Sequence, residues 1–125
     1  MPGFSDLSRL RLNTCHSKII RVLEEAIKHN DFSVICGHRG EAEKNEAFNK
    51  GTSKLKWPDS KHNSAPSRAV DIAPYPVDWK DLKRFYFLAG LVLGLATQMG
   101  IKLAWGGFWK SFPDFPHFEL DESEE

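Results

Sequence analysis

The sequence predicts an α+β domain, a small and mainly antiparallel sheet packed against helices. Three observations carry that expectation. Residues 14–29 and 79–99 place apolar side chains with helical periodicity or form a long apolar stretch of helical length. Four short runs, at 32–36, 69–73, 101–105 and 117–120, are rich in β-branched, aromatic or alternating apolar residues. Their order, helices, strand, helix, loop, strand, long helix, strand, strand, is that of helices layered on one sheet. At 125 residues and 14.2 kDa a single domain over 1–125 is expected, with the acidic tail 121–125 frayed.

Residues 5–12 read as a first short helix with Ser5 as its N-cap. In 14–29 the residues Ile19, Ile20, Leu23, Ala26 and Ile27 fall on one helical face, and Asn30-Asp31 breaks the pattern. Phe32 to Cys36 reads as a buried strand. Gly37-His38-Arg39-Gly40 follows at its end, a place from which an arginine can either pair at the surface or reach into a cleft. A polar helix is expected over 41–50 with Gly51 as its stop, followed by a loop of some seventeen residues over 52–68. Residues 69–73 form the second strand, ended by Pro74-Tyr75-Pro76. Asp78 is the expected N-cap of a central helix over 79–99, closed by Gly100. Gly90 and Gly94, one turn apart, would permit close approach of another element. Residues 101–105 alternate as a strand, Gly106-Gly107 turns the chain, and 108–115 is an aromatic-rich loop before the last strand.

Bulk properties exclude several classes. Lysine plus arginine and aspartate plus glutamate number 17 each, so no overall positive field holds the chain to nucleic acid or to an anionic membrane. The most apolar run, 85–96, is too short for a membrane span. The first six residues have neither the basic nor the apolar region of a signal peptide, so none is expected. Two cysteines, Cys15 and Cys36, make no disulfide framework and, lying apart from the His/Asp clusters in sequence, read as structural thiols.

Chemistry concentrates in two stretches, 60–72 and 114–119. Asp71 sits inside the apolar run Ala69-Val70-Asp71-Ile72-Ala73, and a carboxylate buried there is costly unless it is paired or holds a metal. His62 lies in the preceding loop and His117 near the C-terminus. Two imidazoles and one carboxylate suit zinc better than magnesium or calcium and leave a fourth position for water. Asp114, three residues before His117, is then a candidate base, and Arg39 a candidate for holding the oxyanion. Each residue also has a plainer role open to it: His62 as a solvated loop side chain, Asp71 as partner of Arg39 or Arg68, His117 as a strand residue among aromatics, Asp114 as a turn cap.

Taken together, Ser60-x-His62, Ala69-Val70-Asp71 and Asp114-x-x-His117-Phe118-Glu119 resemble the zinc signature of the D-Ala-D-Ala carboxypeptidase-like metallopeptidases. The resemblance is closest to the phage L-alanyl-D-glutamate peptidase endolysins, where Trp-Gly-Gly and Pro-His-Phe-Glu-Leu phrases also occur, here at 105–107 and 116–120. It runs from about Leu12 to Leu120. It implies His62, Asp71 and His117 as ligands of one zinc ion, Asp114 as general base and Arg39 as the carbonyl-polarising arginine. It further implies that Ser60 and Glu119 contact the ligands or substrate. Trp105, Trp109 and Phe112 are candidates for the cleft wall, and it is equally open that at least one of them is core. Eight residues separate His62 from Asp71 where six are commoner, and Phe108 follows Trp-Gly-Gly where a polar residue is usual. The activity implied is cleavage of the L-Ala–D-Glu bond in the peptidoglycan stem peptide, with D-Ala-D-Ala hydrolysis or non-catalytic wall binding as rivals. A monomer is expected, accumulating in the host cytoplasm and reaching the wall after the membrane is permeabilised.

Overall fold

A computed structural model of the chain describes residues 3–38, 61–111 and 113–121. The expected helix over 41–50 with its stop at Gly51, together with Arg39, Ser60 and Phe112, lies outside them. Among the described residues there are three α-helices, α1 (Asp6–Leu12), α2 (Ser17–Ala26) and α3 (Leu82–Gln98). Four strands accompany them, β1 (Phe32–Cys36), β2 (Ala69–Pro74), β3 (Leu103–Trp105) and β4 (His117–Leu120). All strand pairs are antiparallel, in the order β1-β2-β4-β3. The α+β expectation holds.

Two helix starts differ from the sequence reading, each for a local reason. The second helix starts at Ser17 rather than Thr14 because the preceding residues pair elsewhere. Cys15 bridges to Ser67, the His16 N–H donates to the Ser67 carbonyl at 2.8 Å, and the Thr14 carbonyl accepts the Ser67 N–H at 2.9 Å. His16 then caps the helix, its Nδ1 accepting the Lys18 N–H. The third helix starts at Leu82, not Trp79, because the Asp78 carboxylate accepts the Lys80 N–H within a turn of its own, leaving Asp81 at the N-cap position. Among the described residues nothing lies within 4 Å of where a Cβ would stand at Gly90 or Gly94, so none of them makes the close approach expected there. Gly100, at φ +73°, closes α3 as expected.

Side chains alternate across the sheet, which gives it two different faces. Val34, Ile72, Val70, Phe118, Leu120 and Trp105 belong to the core, with Val22 and Leu23 of α2 and Leu88, Val92 and Ala96 of α3. The residues between them, Asp71, His117 and Glu119, therefore point to the opposite face. α1 closes the outer edge of β1: the Ser8 hydroxyl accepts the Val34 N–H at 2.9 Å and Arg11 donates to the Val34 carbonyl at 3.1 Å.

Candidate metal centre

The sheet register sets two of the three expected ligands side by side. Asp71 on β2 stands opposite His117 on β4. His62 arrives from a 3₁₀ turn, Lys61–Asn63, just before the loop that leads into β2. That loop is tied down along its length. Ser67 bonds to both Thr14 and His16, the Arg68 N–H reaches the Lys61 carbonyl at 3.1 Å, and His38 Nδ1 donates to the Ser64 carbonyl at 2.9 Å. One atom from each of His62, Asp71 and His117 lies within 4.8 Å of the others, and all three side chains are largely buried.

The outer contacts of the two imidazoles determine what they offer. His62 Nδ1 is 2.7 Å from the Gly37 carbonyl oxygen, which can only accept, so Nδ1 carries the proton and the neutral ring turns the Nε2 lone pair inward. His117 Nε2 is 2.8 Å from Glu119 Oε1, which fixes the other tautomer and turns Nδ1 inward. Both inward nitrogens converge on one oxygen, Asp71 Oδ1, at 3.3 Å and 3.2 Å. Glu119 is held in turn by Lys61, whose Nζ lies 3.0 Å from Oε2 and donates to the Leu120 carbonyl at 2.9 Å.

The electrostatics agree with that geometry. Burial works against the charged form of His62, but hydrogen bonds to Asp71 and Cys36 outweigh it and push its pKa up to about 10. His117 is also raised, Asp71 and Glu119 outweighing its burial. Burial alone would raise Asp71, yet the two imidazoles hold it well below the ordinary carboxylate range. The pocket thus favours positive charge beside Asp71. A dication bound by two neutral imidazoles and a carboxylate would supply it. No buried side-chain nitrogen or oxygen among the described residues lacks a partner. The donor set fits zinc: three ligands, mixed nitrogen and oxygen, with the fourth position left to water or substrate.

The other expected site residues divide. Asp114 is half-buried, and its backbone is bonded to Gly106 and to His117. Trp109 packs its ring at 5.0 Å from that of His117, at the edge of the centre and partly exposed. Trp105 is 2% exposed and belongs to the core, so it is not a wall of an open cleft. Arg39 and Ser60 lie outside the described residues.

Three contributors were missed in the sequence. The Gly37 carbonyl fixes His62, and a main-chain oxygen has no sequence signature. Gly37 is wedged so tightly that a Cβ would strike the Thr14 hydroxyl and the Arg11 carbonyl. Cys36, expected to be remote, pairs with Asp71 across a register shift after Val34 and hydrogen-bonds His62. Plain alternation would have kept it on the core side with Val34, and the bulge turns it. Lys61 adjoins His62 in sequence, but its link to Glu119 appears only once β4 is in place.

An α+β fold carrying a buried His-Asp-His group on one face of its sheet defines a small domain with a candidate metal centre. The comparisons narrow this. A model of the family described as phage L-alanyl-D-glutamate peptidase matches residues 3–123, and the chain belongs to that family. It is 31% identical over 122 residues to the L-alanyl-D-glutamate peptidase of Escherichia phage T5, covering 94% of this chain and 88% of that protein. The crystal structure of the Serratia marcescens L-Ala D-Glu endopeptidase ChiX superposes with a TM-score of 0.84 at 31% identity, over 97% of this chain and 91% of that one.

Proposed function

We propose that this chain is a zinc-dependent peptidoglycan hydrolase of the endolysin type, cutting the L-Ala–D-Glu bond of the stem peptide. Membership of the family and likeness to two peptidases named for that bond support the substrate. The observation that carries the metal reading is the convergence of His62 Nε2 and His117 Nδ1 on Asp71 Oδ1, with each ring's other nitrogen anchored outside.

In this reading His62, Asp71 and His117 hold the zinc. When bound, the ion polarises the scissile carbonyl and makes water acidic enough to deprotonate near neutral pH. Asp114 takes the proton from the attacking water and returns it to the leaving amine. The role assigned to Arg39 is to stabilise the charge that develops on the oxygen of the tetrahedral species. Glu119 keeps His117 in the tautomer that offers Nδ1, and the Gly37 carbonyl does the same for His62 Nε2. Trp109 flanks the substrate beside His117. No described helix is long and apolar enough to cross a membrane, in keeping with action on the wall from the aqueous phase.

The test is digestion of purified peptidoglycan followed by mass spectrometry of the products. New N-terminal D-Glu on peptides severed from L-Ala is expected. Release of free D-Ala would point to D-Ala-D-Ala hydrolysis instead, and unchanged muropeptides with retained wall binding would make the chain a binding module.

A further inference from the structure

The segment that carries Asp114 is fixed from below by two consecutive residues, Trp105 and Gly106. Trp105 ends β3 and is buried in the core, its ring stacked over Phe118 at 6.4 Å. A phenylalanine would fill such a place without a polar atom to satisfy. The indole adds an N–H that must find an acceptor inside the protein. It donates to the Phe115 carbonyl at 2.7 Å, the residue directly after Asp114. The Gly106 carbonyl accepts the Asp114 N–H at 2.9 Å, and the Asp114 carbonyl accepts the His117 N–H at 3.2 Å. Gly106 has no room for a side chain: a Cβ would strike the Asp114 carbonyl oxygen and come within 3.0 Å of the Asp114 Cβ and 3.1 Å of the His117 Cβ. The backbone on both sides of Asp114 is therefore set by β3 and the turn after it.

We infer that Trp105 is a positioning residue for Asp114, its indole N–H holding the Phe115 carbonyl so that the carboxylate keeps its place beside the metal centre. The inference rests on the reading of Asp114 as general base. Trp105 touches neither substrate nor ligands in this account. It acts on the rate through the main chain, because a base displaced by even a fraction of a bond length transfers protons poorly.

The experiment compares wild type, Trp105→Phe, Asp114→Asn and the double variant, all zinc-loaded, by steady-state kinetics on a soluble muropeptide and by metal content. Trp105→Phe keeps the ring and removes the donor. Its kcat should fall about tenfold to a hundredfold, with KM and zinc content unchanged. The double variant should be no slower than Asp114→Asn alone. An unchanged kcat in Trp105→Phe, a loss appearing in KM instead, or a further equal loss on the Asp114→Asn background would overturn the inference. Full activity in Asp114→Asn would instead remove the base reading on which it stands. Hydrogen exchange of the wild-type indole protons tests the same bond without a variant. The Trp105 Nε1 proton should exchange far more slowly than that of the exposed Trp109, and equal rates would also overturn the inference.

Discussion

The two halves of the centre are held in opposite ways. On the ligand side the fixing contacts are made by side chains. His62 and His117 each use one ring nitrogen outward, to Gly37 and Glu119, and one inward, and Asp71 receives both rings. On the Asp114 side the fixing contacts are made to the main chain, through Gly106, Phe115 and His117. The difference has a chemical sense. Ligands must present particular lone pairs in a fixed orientation, so their rings are locked individually. A base must approach, accept a proton and release it, and the backbone of Asp114, the base in the proposed function, is anchored through Gly106, Phe115 and His117.

This contrast predicts that substitutions on one side move metal affinity and those on the other move rate. The largest effect is expected from Asp114→Asn, which should lower kcat by roughly a thousandfold, within the usual range for general-base removal, while zinc content stays at the wild-type level. Lost zinc in that variant would blur the division. Next in size is the core beneath the ligands. Phe118 lies between His117 and Glu119 on β4 and is 1% exposed on the opposite face. Phe118→Ala should cost about 3–5 kcal/mol of unfolding free energy, measured by urea denaturation. A loss below 1 kcal/mol would mean that β4 is not seated as described.

Glu119→Ala sharpens the ligand side. Freed of its outer partner, His117 can rotate and change tautomer, and zinc affinity should weaken about 10- to 100-fold, with kcat at saturating zinc much less altered. Competition with a chromophoric chelator measures the first quantity, and an unchanged affinity would remove Glu119 from the account. The smallest effect concerns Cys15. Burial pushes its thiol up to about 12, the Thr14 hydrogen bond offsetting only part. The folded protein therefore holds this proton more tightly than the unfolded chain, whose thiol titrates near 8.5. Its contribution is intact below that pH and is lost as pH rises from about 8.5 towards 12. At pH 8 Cys15 should resist iodoacetamide in the native protein and react only on unfolding, as followed by mass spectrometry. Equal labelling rates in buffer and denaturant would contradict its burial.

Much of this was legible beforehand, for reasons that differ between residues. Asp71 drew notice because a carboxylate within a strand-like apolar run needs a partner, and it has two. β1 and β4 were read at their observed limits because short β-branched or aromatic runs were bounded by breakers. The ligand triad could not be read from spacing alone, since His62 and His117 are far apart in the chain and meet only through the β2–β4 register. It took the resemblance of three motif blocks in order to join them. The start of α3 was misread because Asp78 and Asp81 are equally good caps in sequence, and only the turn at Lys80 chooses between them. Gly90 and Gly94 suggested a packing partner that the described residues do not supply, while Gly37, Gly106 and Gly107, unremarked as contacts, are glycines that tight packing demands. Trp105 looked like cleft wall because an aromatic at the end of a strand reads the same whether its ring faces solvent or core.

The most direct test of the central claim is metal analysis of the purified wild type beside His117→Ala, after dialysis against metal-free buffer. About one zinc per wild-type chain and little or none in the variant is the predicted result. Undiminished zinc in His117→Ala would contradict the account at its centre.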